Sequence, residues 1–112
     1  MIRGIHAMFF LPEAVQLREF FRDKLGLDYF DAGEGWLIFR APEAEIGCHP
    51  GEERFQNISL YCDDIESALA ELAAKGVELG RPPETREYGI SATIKAPGFE
   101  IELYQPNYIP AP

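Results

Sequence analysis

The chain repeats itself once. Lys24-Leu25-Gly26-Leu27-Asp28 lines up with Ala74-Lys75-Gly76-Val77-Glu78 at a shift of 50 residues, and His6 lines up with Asn57 at a shift of 51. One residue therefore separates the two registers. A period this long, present only twice, is not that of a solenoid, which needs several stacked repeats. It predicts two copies of one βαβββ module packed side by side, an α+β arrangement.

Hydrophobic period fills in the modules. Ile5-His6-Ala7-Met8-Phe9-Phe10-Leu11 is a nearly all-apolar run and predicts a buried strand. Pro12 opens a helix at a position where its missing N–H costs nothing, and Glu13 suits the positive end of the helix dipole. Val15, Leu17, Phe20, Phe21 and Leu25 recur at helical spacing, opposite Arg18, Arg22 and Lys24. Gly26 is the stop. Strands are expected over 27–30, 36–40 and 44–49, with a hairpin turn at 31–35. In the second copy a strand runs from Asn57 to Cys62, and Asp63 or Asp64 caps a helix whose stripe is Ile65, Ala68, Leu69, Leu72 and Ala73. Gly76 ends it. Val77-Glu78-Leu79, a charged loop from Arg81 to Gly89, and strands over 90–94 and 100–104 complete the module.

Alternation sorts each strand into two faces. Ile58, Leu60 and Cys62 oppose Asn57, Ser59 and Tyr61; Ile101 and Leu103 oppose Glu100, Glu102 and Tyr104. Ile46 and Cys48 oppose Glu45, Gly47 and His49, and His6 shares its face with Met8 and Phe10. One face of each strand is aliphatic enough to pack on a helix. The other mixes polar groups with aromatic rings, and together these faces predict a small-molecule cavity. Trp36, Asn57, Tyr61 and Tyr104 are its expected lining.

Charge narrows the partners. Lys+Arg number 10 against 19 Asp+Glu, a formal net charge of −9, so nucleic acid and anionic membrane surfaces are excluded as expected partners. No signal-type or membrane-spanning stretch is apparent, and a cytoplasmic protein is expected. Cys48 and Cys62 fall in apolar sets, where a thiol behaves as a small hydrophobe. Arg81 or Arg86, in the charged loop, can meet an anionic group of a ligand.

The paired modules, the opening Ile5-His6-Ala7-Met8, the helix end Phe20-Phe21-Arg22-Asp23-Lys24-Leu25-Gly26-Leu27 and the close Pro97-Gly98-Phe99-Glu100-Ile101-Glu102-Leu103-Tyr104-Gln105-Pro106 carry a resemblance. Together they are similar to the vicinal oxygen chelate superfamily, the glyoxalase, bleomycin-resistance and extradiol-dioxygenase group. The resemblance implies one domain over 1–112: module 1 at about 4–50, module 2 at about 55–106 and a tail at 107–112. It also implies a curved, cup-shaped mixed sheet with helices outside, a homodimer, and a divalent metal such as Zn, Ni, Fe or Mn.

Mapped onto this chain, the family's metal positions fall on His6 and Glu102. A third falls on Glu45 or on Gly47, depending on register, with His49 as a substitute, and the fourth falls on Asn57, a poor transition-metal ligand. Two functions follow from the resemblance. One is a metal-dependent lyase, isomerase or dioxygenase acting on a small oxygenated molecule, with Glu102 or Glu45 moving a proton. The other is a metal-free protein that sequesters a cationic aromatic compound of antibiotic type.

Overall fold

A computed structural model describes residues 6–41, 43–44, 50, 52–54 and 57–107. Among them the chain forms two helices and six strands, α+β as expected. Helix α1 spans Ala14–Asp23 and buries Leu17 and Phe20, three residues apart on one face. It begins two residues after Pro12, which lies in the preceding turn. Helix α2 spans Ile65–Ala74. Of the two candidate caps, Asp64 is the one used: its side chain accepts from the backbone N–H of Ser67 at 3.2 Å. A second cap comes from far along the chain, where Gln105 Oε1 accepts the N–H of Ile65 at 3.0 Å.

The larger sheet lies in the second half of the chain. Strands β3 (Ser59–Tyr61), β4 (Glu84–Arg86), β5 (Gly89–Ala96) and β6 (Phe99–Pro106) form a sheet in the order β3-β6-β5-β4. The β3–β6 pair is parallel and the others antiparallel. On its helix side Ala92 and Ile94 of β5 meet Ile101 and Leu103 of β6. These pack with Ile65 and Leu69 of α2, Phe20 of α1 and Val77.

The first module is described in part. Strands β1 (Tyr29–Asp31) and β2 (Leu37–Phe39) form the expected hairpin as a separate two-stranded sheet. Three expectations need correction. Residues 6–11 form no strand; the aromatic run is held by rings, Phe9 stacking on Phe99 at 5.2 Å and meeting Phe21 at 5.9 Å. The charged loop from Arg81 to Gly89 contains β4, an exposed edge strand, while the expected strand at Val77–Leu79 reduces to one bridge between Leu79 and Ile94. The expected strand at 44–49 lies mostly outside the described residues.

The odd residue in the repeat now has a location. The two helices are related by a shift of 51, as are the lysines that follow them, Lys24 and Lys75. The left-handed glycines beyond, Gly26 (φ 66°) and Gly76 (φ 84°), are related by 50. Leu25 is the extra residue. The lysines also clasp one another: Lys24 Nζ donates to the Lys75 carbonyl at 2.6 Å, and Lys75 Nζ to the Lys24 carbonyl at 3.3 Å. Each ammonium thus satisfies a carbonyl at the negative end of the other helix. Lys24→Met is expected to cost about 1 kcal/mol, and Lys75→Met roughly half of that because its bond is longer. Equal melting temperatures for Lys24→Met and wild type would show the clasp to be energetically idle.

Candidate functional site

The face of the four-stranded sheet turned away from the helices is polar, and register decides which side chains meet there. Ser59 of β3 and Thr93 of β5 stand opposite Glu102 of β6, while Tyr61 and Ser91 stand opposite Tyr104. Residues paired across a ladder share a face. Glu102 lies at the centre. Its Oε1 accepts from Ser59 Oγ at 2.8 Å; its Oε2 accepts from Ser91 Oγ at 2.8 Å and from the Tyr88 hydroxyl at 3.1 Å. Ser91 is fully buried, and its hydroxyl also accepts from Arg81 Nη2 at 2.6 Å, while Arg81 Nη1 donates to the Ser91 carbonyl at 3.0 Å. Arg81 is held in place by its own N–H, which donates to Thr93 Oγ1 at 2.6 Å, and Thr93 in turn donates to Glu100.

Burial works against a charge on Glu102. The hydroxyls of Ser91, Ser59 and Tyr88 and the positive Arg81 outweigh it and hold the carboxyl below the usual carboxylate range. Around this anion stand three rings: Tyr104 meets Tyr88 edge to face at 5.6 Å and Tyr61 at 6.0 Å. The Tyr61 hydroxyl donates to Glu43 at 2.9 Å. The arrangement offers a fixed hydrogen-bond acceptor beside aromatic surface.

Of the expected site residues, Glu102, Tyr61 and Tyr104 come together here. Asn57 is exposed, two residues ahead of Ser59, and His6 is exposed and outside any strand. Trp36 lies in the turn that joins β1 to β2, apart from the four-stranded sheet. Glu45, Gly47, Cys48 and His49 lie outside the described residues. Ser59, Ser91 and Tyr88 join the site on Glu102 and Glu43 on Tyr61, while Arg81, which with Arg86 is a candidate for a ligand's anionic group, donates to Ser91. Cys62 is half-buried against the core, and burial, aided by Asp63 and Asp64, pushes its thiol up, away from nucleophile behaviour. A shallow pocket of about 270 Å³ lined by Phe9, Phe10, Leu11, Gly98 and Phe99 contains none of the Glu102 group. No helix among the described residues is long and apolar enough to cross a membrane.

A mixed sheet with helices on one face and a polar, tyrosine-flanked carboxylate on the other defines the class of fold. The chain belongs to the Glyoxalase/Bleomycin resistance protein/Dioxygenase superfamily, whose sequence model matches residues 5–103. No curated protein matches it. Among solved structures it is similar to TnmS3, an antibiotic binding protein from Streptomyces sp. CB03234, with 21% identity, a TM-score of 0.66, and coverage of 96% of this chain and 100% of that one. It is also similar to an integron cassette protein from the mobile metagenome of V. Cholerae (16% identity, TM-score 0.57, 94% and 98% covered). A third is a glyoxalase/bleomycin resistance protein/dioxygenase from Nocardioides (17%, 0.52, 86% and 79%). At these identities the likeness is one of fold.

The divalent metal that the family implies can be tested against the residues present. Both Glu102 oxygens are already engaged by hydroxyl donors, and a guanidinium stands one hydroxyl away. A metal ion there would displace a hydroxyl donor and, unlike a hydrogen-bonding organic group, would need further carboxylate or imidazole ligands beside Glu102. No three His, Cys, Asp or Glu side chains converge among the described residues. Among the described residues Glu102 by itself does not make a metal centre; Glu45 and His49 lie outside them.

Proposed function

We propose that the chain binds and sequesters a small aromatic molecule carrying a cationic or hydrogen-bond-donating group, held at the Glu102 face without chemical conversion. The observation that carries this reading is Glu102 itself: an ionised acceptor fixed by two serines and bordered by Tyr61 and Tyr104. A donor on the ligand would gain a charge-assisted bond, and its ring would lie against tyrosine. The net charge of −9 draws cations toward the protein. The antibiotic-binding description of the similar TnmS3 fold is in keeping with this use.

Calorimetry against a panel of cationic aromatic compounds is expected to give a saturable site, weakened about tenfold in Glu102→Gln, which loses the charge but not the volume. A panel without saturable heat, or unchanged affinity in Glu102→Gln, would sink the proposal. The metal-dependent enzyme reading requires His6 to join Glu102, with Glu45 or His49. Stoichiometric Zn, Ni, Fe or Mn in the purified protein, lost in His6→Ala, would restore it in place of this one.

A further inference from the structure

The three hydroxyls that share Glu102 are not alike. Ser59 and Ser91 donate at 2.8 Å from strands on either side of β6, where the ladder fixes them, and Ser91 is fully buried. Tyr88 donates at 3.1 Å from the turn between β4 and β5, and 41% of the residue is exposed. Its backbone is pinned. Asn107 donates its N–H to the Tyr88 carbonyl at 2.9 Å and its side-chain amide to the Glu87 carbonyl at 2.8 Å. The next residue, Gly89 (φ 148°), lies so close to the Gln105 carbonyl that no side chain fits. The turn is fixed, so the freedom that remains to Tyr88 is in its side-chain torsions.

We propose that the Tyr88 phenol is a stand-in for the ligand: a bound aromatic molecule with an N–H or O–H at its rim takes over the place on Glu102 Oε2 and the contact with Tyr104, and the Tyr88 side chain turns outward. The inference rests on the Glu102 face being the binding surface, and it specifies what that surface takes. Tyr88 shows the geometry that fits, a planar ring meeting Tyr104 edge to face with a donor aimed at the carboxylate. An ionised carboxylate only accepts, so phenols, anilines and aryl amidines qualify. A ring whose rim carries only acceptors meets Glu102 with repulsion and leaves Tyr88 in place.

A stand-in competes with what it imitates. Its removal raises the fraction of protein whose Glu102 is open, and apparent affinity rises by the same factor. A tyrosine that only forms part of the wall has the opposite signature, since loss of its hydroxyl weakens binding or leaves it unchanged. Tyr88→Phe keeps the ring and the fold, which circular dichroism checks. The test is an NMR titration of wild type, Tyr88→Phe and Glu102→Gln with benzamidine, a phenyl ring bearing an amidinium donor, and with benzoate as the acceptor-only control.

Benzamidine is expected to bind wild type at about millimolar, as suits so small a molecule, and Tyr88→Phe about threefold to tenfold more tightly. Glu102→Gln should lose it, and benzoate should bind none of the three. Equal or weaker binding in Tyr88→Phe, with Glu102→Gln still deficient, overturns the role of Tyr88 and leaves the binding face standing. Benzamidine binding unchanged in Glu102→Gln overturns both. Benzoate binding as tightly as benzamidine, or benzamidine binding to neither wild type nor Tyr88→Phe, overturns the inference, while the calorimetric panel separately decides the binding surface.

Discussion

Ile94→Ala is expected to remove about 3–4 kcal/mol of stability, a large part of what a domain of this size commands. Ile94 has no exposed surface and sits in the middle of β5, opposite Ile101, with Ala92 and Leu103 on the same side of the sheet. Ile65 and Leu69 close over this layer from α2, and Phe20 and Val77 complete the cluster. Truncation opens a cavity among side chains held by two long paired strands, which limits collapse around it. In urea the midpoint should fall while the slope stays that of the wild type, because the same surface is exposed on unfolding. A loss under about 1 kcal/mol would mean that β5 and α2 are not packed as described.

Ser91→Ala is expected to cost about 2–3 kcal/mol, although it deletes one oxygen. That oxygen accepts from Arg81 and donates to Glu102, so its loss leaves a guanidinium and a carboxylate each short of a partner beside a fully buried backbone position. The effect carries a pH signature. Glu102 is held below its ordinary value of 4.5 in the folded protein, against the opposing effect of burial, by bonds of which Ser91's is the largest contributor. A carboxyl with a depressed folded-state value adds stability that is fully present above pH 4.5 and is lost as pH falls through the folded value. The gap in melting temperature between wild type and Ser91→Ala should therefore be widest at neutral pH and narrow in acid below 4.5. A gap that stays constant to pH 3, roughly, would assign the cost to packing alone.

Much of this architecture is legible from period and punctuation. Gly26 and Gly76 mark the helix ends because each adopts a left-handed conformation that other residues resist. The mismatch between shifts of 50 and 51 is visible in the sequence, but its position at Leu25 emerges only from the helix ends. Parity places Ser59, Tyr61, Glu102 and Tyr104 on polar faces, and the structure brings these four together. What parity cannot supply is register. Nothing local in Ser91 or Tyr88 tells of Glu102, since the pairings that join them are set by how far β5 slides along β6. Apolar periodicity also misleads where rings do the packing. The Phe9 side chain packs on Phe21 and Phe99 through its ring, so an all-apolar run reads as a strand that 6–11 does not form. Conversely, β4 is built of Glu84, Thr85 and Arg86, charged as exposed edges often are, and such a strand hides in a hydropathy reading.

The strand order has a consequence for how the molecule is made. Strand β6 is the last described strand to leave the ribosome, yet it lies between β3 and β5 and supplies Ile101 and Leu103 to the core, Glu102 to the site and Gln105 to the cap of α2. Ser59 waits through 43 further residues for the carboxylate it will bind. Until then β3 has no described neighbour on the side that β6 will fill, and the apolar face of α2 has half a floor. Synthesis of this module therefore ends in one late closure, with core, cap and binding face arriving together on a single strand.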